Sequence, residues 1–505
     1  MKIESLRSVY DKLDEESSGR LTRLLNGIEE GRDDVLLSPL GESTDPDIIL
    51  KGWDKIFDSN TSEMNDILLE LEANNRSKYG PRSIAVPWEE RRQGVLSSFS
   101  EPEKGVKSIK WRPPEYKRLR PISVGNAIKY IKRQTNAGLP TLEKKGTVLD
   151  KMDLFSFTIW NLVEEADRWA SVMFTRTQEN NKTRTVWGYP LALVILEMMF
   201  YRPILEYQRT LSWRAALRSP EDVDRAITTL IINALEAKKY IVSIDFSAFD
   251  DSIKFPIQYW VFYIYFNSLF QDGLYTRYRG FITDKFRSIP LVTPDGVYTG
   301  FHGIPSGSAF TNEAGSVSQH GIAKDYFEPL EDEQQQGDDG VYSCYYPEKL
   351  KEHFRQYGLE VNDSKSYVSK EFCVYLQNLY HIDYIDNGII SGIYPTYRAL
   401  CRIVYQERFN DFSKDDISGK DYYAIRTLSI LETCKHHPLF RELVRYVWTL
   451  DKYNLSFSDQ GLVAYVKMRE KQDGKDVKFT EYKRGDKIQG IREFASYQLV
   501  QEFNE

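Results

Sequence analysis

Three short segments in one order constrain this chain more than any other feature: Asp245-Phe-Ser-Ala-Phe-Asp250, Ser306-Gly-Ser-Ala-Phe-Thr311-Asn312 and Gly337-Asp338-Asp339. Residues 239–244 (KYIVSI) lead into the first with the β-branched pattern of a strand that ends at Asp245. Residues 341–345 follow the third and read as another strand. Together the segments supply two separated carboxylate groups with a polar helix start between them. A polar helix is expected to start at Ser306 and run through Val317 to His320. Pro294-Asp295-Gly296, between Leu291-Val292 and Val297-Tyr298, marks a hairpin.

The remaining sequence supports a mixed α+β core with helical layers at both ends. At 505 residues the chain suits two to three subdomains. Ile3, Leu6, Val9, Tyr10 and Leu13 recur at helical spacing, as do Leu21, Leu24, Leu25 and Ile28. Asp47 is the expected cap of a third helix carrying Ile48, Ile49, Trp53, Ile56 and Phe57, and Ser62 that of a fourth carrying Met64, Ile67, Leu68 and Leu71. Residues 79–149 are richer in Pro, Gly and basic residues. Residues 348–357 read as a helix stopped by Gly358, and helices are expected over residues 423–434 and 439–450. The last 40 residues are charged with β-like fragments. The longest apolar stretches, residues 191–199 and 260–266, are too short or too interrupted to cross a bilayer, and no secretory leader pattern opens the chain. The expected address is the cytosol or the inside of an assembled particle.

Cys344, Cys373, Cys401 and Cys434 form no CxxC pair, which argues against a zinc site or a disulfide framework. His436-His437 reads as a solvated helix end. A net charge of −7 argues against a protein that coats nucleic acid generally, but charge is uneven. Residues 104–133 hold ten cations (Lys104, Lys107, Lys110, Arg112, Lys117, Arg118, Arg120, Lys129, Lys132, Arg133) against one acid, Glu115. That stretch reads equally as a solvated surface or as the lining of a channel for single-stranded template.

Asp245 and Asp338 are the residue types that template-directed transfer of a nucleotide needs. Attack of a 3′-hydroxyl on a nucleoside triphosphate calls for two Mg²⁺ ions, and Mg²⁺ takes hard oxygen ligands while keeping several waters. One carboxylate from each of two neighbouring elements is then enough. Gly-Asp-Asp alone is a common acidic surface turn, and Asp245 and Asp250 alone are ordinary strand-end and cap residues. The joint pattern is specific where its parts are not.

With that pattern the chain resembles viral RNA-dependent RNA polymerases, specifically those of small double-stranded RNA viruses of the picobirnavirus and partitivirus kind, over residues 135–379. Motif A of that family matches Asp245 and Asp250, motif B matches Ser306, Gly307, Thr311 and Asn312, and motif C matches Gly337, Asp338 and Asp339. Thr135, Gly138 and Pro140 look like motif G, which guides the template. Arg176, Lys182 and Arg184 look like motif F, which holds the triphosphate. Lys365 sits in a motif D pattern, whose lysine protonates the leaving pyrophosphate, and residues 372–380 sit where motif E grips the primer.

The resemblance implies that Asp245 and Asp338 bridge two Mg²⁺ or Mn²⁺ ions, with Asp339 a weaker contributor. It implies that Asp250 and Asn312 read the ribose, assisted by Ser306 within the nucleotide-binding motif of Thr311, and that Gly307 approaches the template. A carboxylate–amide pair suits a 2′-hydroxyl, which both donates and accepts. Arg184 offers a bidentate fork to the triphosphate, with Lys182 and Arg176 adding charge.

The implied architecture is a right hand with an antiparallel palm sheet. It has an N-terminal helical layer (1–75), fingers (76–239), a palm (240–395, with a fingers insertion at about 255–300) and a thumb with C-terminal tail (396–505). The N-terminal layer is expected to bridge fingers and thumb. Residues 467–505 fit either a channel-plugging tail or plain thumb packing. The implied partners are single-stranded RNA template, duplex product, NTPs and capsid protein, with the chain a monomer in the virion interior or host cytoplasm and no membrane. One departure is the polar run 331–336 before Gly337, which points to a short first strand (residues 334–336) or a poorly buried one. Rival readings are a reverse transcriptase or other palm-domain polymerase, and a catalytically silent RNA-binding or capsid-associated scaffold that retains the palm. An aromatic residue is missing before the motif C acids, and Asp250 with Asn312 suits ribose, which counts against the first. Intact Asp245 and Asp338 count against the second.

Overall fold

The computed structural model describes residues 1–102, 105–152, 158–271, 273, 275–409, 411–412, 415–473, 483–484, 487–488 and 490–505. Two sheets organise it. A five-stranded sheet joins β1 (Lys2–Glu4), β2 (Ser171–Thr177), β3 (Thr183–Gly188), β6 (Leu291–Thr293) and β7 (Gly296–Thr299) in the order β1-β7-β6-β2-β3. A four-stranded antiparallel sheet joins β4 (Tyr240–Ile244), β8 (Glu333–Gln336), β9 (Asp339–Cys344) and β11 (Tyr367–Ser369) in the order β11-β4-β9-β8. Short pairs flank it, β5 (Phe246–Ser247) with β10 (Glu360–Val361) and β12 (Phe372–Tyr375) with β13 (Asn378–His381).

The second sheet carries the acids. β4 is apolar and buried from Ile241 onward because helices and strands cover both its faces. In its register with β9, Ile244 stands opposite Gly340, so Asp245 emerges beside Asp339, the first residue of β9, and the Gly337-Asp338 turn that precedes it. The polar run before that turn makes a four-residue strand, and it is buried: Glu333, Gln334 and Gln335 are all enclosed. Glu333 and Gln334 are paired rather than solvated, and Gln335 donates its amide to Glu333 (2.6 Å). Glu333 lies 3.0 Å from His320 and 2.7 Å from Lys324, and Gln334 bonds the backbone of Ser212 and Ala215.

The N-terminal segment reaches both ends of the molecule. Leu21 and Leu25 of the Glu15–Glu30 helix pack on Val172, Val292 and Val297 of the first sheet. Ile49, Trp53 and Leu68 pack instead among the C-terminal helices Thr396–Val404, Gly419–Glu432 and Phe440–Leu450. Glu72, fully buried, accepts from Thr396 N–H (2.7 Å), the Thr396 hydroxyl (2.7 Å) and Tyr397 N–H (3.2 Å).

Several local expectations are corrected. Residues 2–4 form a strand, because pairing with β7 outweighs the helical spacing that Ile3 shares. The third helix is capped by Asp45, whose carboxylate accepts from Asp47 and Ile48, with Pro46 at its first position. The fourth starts after Asn65, leaving Met64 outside. The expected helix 423–434 spans Gly419–Glu432, with Ser418 as its cap. His437 is buried 2.9 Å from Glu72, not solvated, and only His436 is exposed. Residues 495–504 form a helix whose Ser496 and Val500 pack on the C-terminal helices, so this part of the tail is neither β-like nor free. Most of the tail between 474 and 489 lies outside the described residues, as does Lys104 of the basic stretch.

Candidate active site

Asp245 is fixed through its backbone. Its N–H donates to Ser366 Oγ (3.0 Å), and its carbonyl accepts from Asn362 N–H (2.8 Å). Those two bonds pin the turn between β10 and β11, and Lys365 projects from that turn close enough to offset the Asp245 charge. Burial first, then the charge of Asp338, raise the Asp245 carboxyl, while Lys365 and Lys182 pull it down. Asp339 is pushed up to about 7 by burial and by the charges of Asp338 and Asp245. Asp250 also reaches about 7, through burial and the charges of Asp338 and Asp251, opposed by Arg184.

These reciprocal effects place Asp245, Asp250, Asp338 and Asp339 in one electrostatic neighbourhood, with Asp338 the most exposed. Acids that raise one another in this way are held ionised together by a cation, and their hard oxygens at adjacent strand ends suit Mg²⁺ or Mn²⁺. Among the described residues no three or more His, Cys, Asp or Glu side chains close on one point. A cation here would share its remaining positions with water and substrate oxygens.

The cations come from the β2–β3 hairpin. Arg176 and Arg184 are direct register partners, both exposed, and Lys182 lies toward its tip. Burial first, then Arg184 and Lys365, lower the Lys182 ammonium, while Asp338 and Asp245 raise it. The hairpin is braced from outside: Glu179 pairs with Arg82 (3.4 Å) and Arg398 (3.1 Å), and Glu407 pairs with Arg82 (2.6 Å) and Arg176 (3.8 Å).

The Ser306–Asn312 segment is a loop before it is a helix. The helix spans Thr311–Lys324, later than the expected start, because the Thr311 hydroxyl bonds the Pro305 and Ser308 carbonyls and holds the chain in a turn. Trp187 N–H donates to the Ser306 carbonyl (3.0 Å), and a Cβ at position 307 would lie 1.9 Å from the Trp187 carbonyl oxygen. Glycine is therefore required at 307 by its approach to β3. Glu197 supports the loop from below, accepting from the Ser308 hydroxyl (2.7 Å) and Ala309 N–H (2.8 Å).

Farther out, the Thr135 hydroxyl accepts from Lys145 (2.9 Å), and Gly138, at φ +66°, sits where a Cβ would be 2.5 Å from the Tyr189 carbonyl. Pro140 follows in the same turn. The β12–β13 hairpin is tied to β4 by Val374 N–H on Ser243 Oγ (2.9 Å). Along the basic stretch, Arg112, Lys117, Arg118, Arg120 and Lys129 are exposed.

Sequence reasoning missed three contributors. Lys78 is lowered by burial and by Arg398 and Lys365, and raised by Glu179 and Asp245, which sets it at the edge of the site. Nothing in its polar surroundings marks it. Glu197 had a readable signal, as the single acid within the apolar run 191–199. The Arg82 brace depends on contacts across more than 300 residues, since Arg82 and Glu407 are 325 apart, and leaves no local trace.

The chain matches the family model described as viral RNA-dependent RNA polymerase over residues 76–383. It is 31% identical to a potential RNA-dependent RNA polymerase of human picobirnavirus, covering 88% of this chain and 87% of that one. It is 27% identical to the RNA-directed RNA polymerase of Cryptosporidium parvum virus 1 over 41% of each. Its fold matches the crystal structure of the RNA-dependent RNA polymerase of a human picobirnavirus, with TM-score 0.80, 26% identity and coverage of 99% and 100% of the two chains. The fold of a Sicinivirus polymerase is also similar (TM-score 0.53, 13% identity, coverage of 70% and 84%). The α+β right-hand architecture expected from the motifs is the one found, and the chain belongs to the viral RNA-dependent RNA polymerases, in company with those of the picobirnaviruses.

Proposed function

We propose that this polymerase joins ribonucleotides to an RNA 3′-hydroxyl by two-metal catalysis centred on Asp245 and Asp338, in replication and transcription of a double-stranded RNA viral genome. The observation that carries the reading is the convergence of Asp245 and Asp338 at adjacent strand ends, faced by Lys182 and Lys365, with Arg184 beside Asp250. Asp245 and Asp338 would hold two Mg²⁺ or Mn²⁺ ions, with Asp339 in support. When bound, the ions lower the pKa of the attacking hydroxyl and neutralise the triphosphate.

The chain's own residues do the rest. Arg184, Lys182 and Arg176 orient the triphosphate in line with the 3′-hydroxyl, Asp250 and Asn312 read the 2′-hydroxyl, and Ser306 and Thr311 shape the loop between them. Lys365 gives its proton to the leaving pyrophosphate oxygen. Thr135, Gly138, Pro140 and Gly307 line the template side. The working division is an N-terminal layer (1–75), fingers (76–239), palm (240–395) and thumb with tail (396–505). The partners are single-stranded template, duplex product, NTPs and capsid protein, and the polymerase acts as a monomer in the virion interior or host cytoplasm.

The test is incorporation of labelled ribonucleotides on a single-stranded RNA template with Mg²⁺ or Mn²⁺, comparing the native chain with Asp338→Ala. Template-length product from the native chain alone is expected. Equal RNA binding with no product from either protein would overturn the reading.

A further inference from the structure

Asn312, Ser316 and Gln319 stand at i, i+4 and i+7 of the Thr311–Lys324 helix and so share one face. That face is laid along the β8–β9 hairpin. Gly337 N–H donates to Ser316 Oγ (2.8 Å), and Gln319 Nε2 donates to the Gly337 carbonyl (2.6 Å). One glycine residue, immediately before Asp338, is thus held by both its backbone polar groups from a single helix. Gly337 adopts φ +66°, a conformation that glycine takes without strain, so hydrogen bonds rather than side-chain packing must define it.

Each clamping side chain is itself oriented. Tyr342 O–H donates to Gln319 Oε1 (2.8 Å), which leaves Nε2 to face Gly337. Gly340 makes room for this arrangement: a Cβ there would lie 2.3 Å from Gln319 Oε1. Ser316 accepts from Gly337 and directs its own proton at Asn312, whose carbonyl is 2.8 Å away and whose Oδ1 is 3.1 Å away. With Oδ1 turned toward Ser316, the Asn312 amide presents its N–H donors outward. Ser316 and Gln319 are fully buried, in a setting where an unmade hydrogen bond is expensive.

We propose that Ser316 and Gln319 are positioning residues that couple ribose reading to the carboxylate turn. Ser316 sets both the amide of Asn312 and the peptide before Asp338, while Gln319 sets only the turn. A ribose that engages Asn312 is thereby registered against Asp338 through one serine hydroxyl. The proposal rests on the polymerase reading above and adds residues outside the motif positions.

The two side chains separate in experiment. Full-length Ser316→Ala, Ser316→Thr, Gln319→Glu and Asp338→Ala are compared with the native chain for kcat, NTP KM, Mg²⁺ half-saturation, ribonucleotide-over-deoxynucleotide preference and thermal midpoint. Supporting groups of this kind are worth roughly 10–100-fold when removed. Ser316→Ala is expected to lower kcat by that factor, raise Mg²⁺ half-saturation and narrow the ribose preference, with Ser316→Thr recovering all three by restoring the hydroxyl. Gln319→Glu turns an acceptor onto the Gly337 carbonyl and is expected to raise Mg²⁺ half-saturation while leaving the ribose preference intact. A native-like preference in Ser316→Ala, or activity lost only in step with the folded fraction, overturns the coupling. If Ser316→Ala does not fold, an unchanged Mg²⁺ half-saturation in Gln319→Glu overturns it instead. An inactive native chain would defeat the polymerase reading itself; an active native chain, a dead Asp338→Ala and an indifferent Ser316→Ala would defeat the clamp alone.

Discussion

Two hairpins face each other across the site, and they are held in opposite ways. The β8–β9 hairpin, which carries Asp338, is bound from within: its supports are the buried side chains of Ser316, Gln319, Tyr342 and Glu333, and nearby the enclosed pair Arg214–Glu313 (2.9 Å) steadies the adjoining helix. The β2–β3 hairpin, which carries Lys182 and Arg184, is bound at its tip by ion pairs to Arg82, Arg398 and Glu407, which water partly reaches. Buried hydrogen bonds and enclosed ion pairs hold one geometry, whereas partly solvated charges hold an average position and respond to salt. The acids are therefore set on a fixed anvil, and the cations on a mount that can shift.

The contrast can be broken at either end. Asp338→Ala should abolish templated synthesis, by at least about 10³-fold in kcat, since charge stabilisation at the reacting phosphate is the largest catalytic contribution; single-turnover incorporation measures it. Arg214→Ala leaves Glu313 buried and without its guanidinium, and should destabilise the chain by about 3–5 kcal/mol in denaturant unfolding. Replacing both members by apolar residues should recover most of that loss.

Glu197, pushed up to about 7 mainly by burial, gives a pH test of the loop beside the anvil. Its folded value lies above the ordinary 4.5, so the native chain holds this proton more tightly than the unfolded chain. Its stabilising contribution is full below about 4.5 and is lost as pH rises to about 7, by at most about 3 kcal/mol. Glu197→Gln should flatten that slope in denaturation midpoints taken at intervals across the window. For the mount, Arg184→Ala should lower kcat/KM for NTP by roughly 10–100-fold, the worth of a charge-assisted contact of about 1.5–3 kcal/mol. The smallest effect is expected from Arg82→Ala, which reaches the hairpin only through Glu179 and the Glu407 that also pairs with Arg176: NTP KM should rise a few-fold with kcat little changed, as initial rates against NTP concentration would measure.

Legibility in the sequence divides along the same line. Strands β4 and β9 and the β6–β7 hairpin are announced locally, by β-branched runs and turn residues, but the pairing of β4 with β9 that brings the acids together spans about 100 residues and is implied only by the motif order. The cations on β2–β3 are marked only by their place in the motif order. The supports are not legible: Ser316 and Gln319 read as ordinary polar helix residues, Lys78 lies in an unremarkable polar stretch, and the late start of the Thr311–Lys324 helix depends on where one threonine hydroxyl points. His437 misleads for the same reason, since its partner Glu72 is remote in sequence. Hydrogen-bond partners chosen by packing carry no period and no spacing.

The pairing of β1 with β7 has a consequence for synthesis. Lys2 stands opposite Thr299, a separation of 297 residues. A ribosome adding about 5–20 residues per second needs roughly 15–60 s to deliver the partner strand after the first has emerged. Trp53 waits longer, for Thr396, 343 residues on. Residues 2–4 and Trp53 are therefore made well before the strand and helix that hold them, and their places stay open until those partners have been translated.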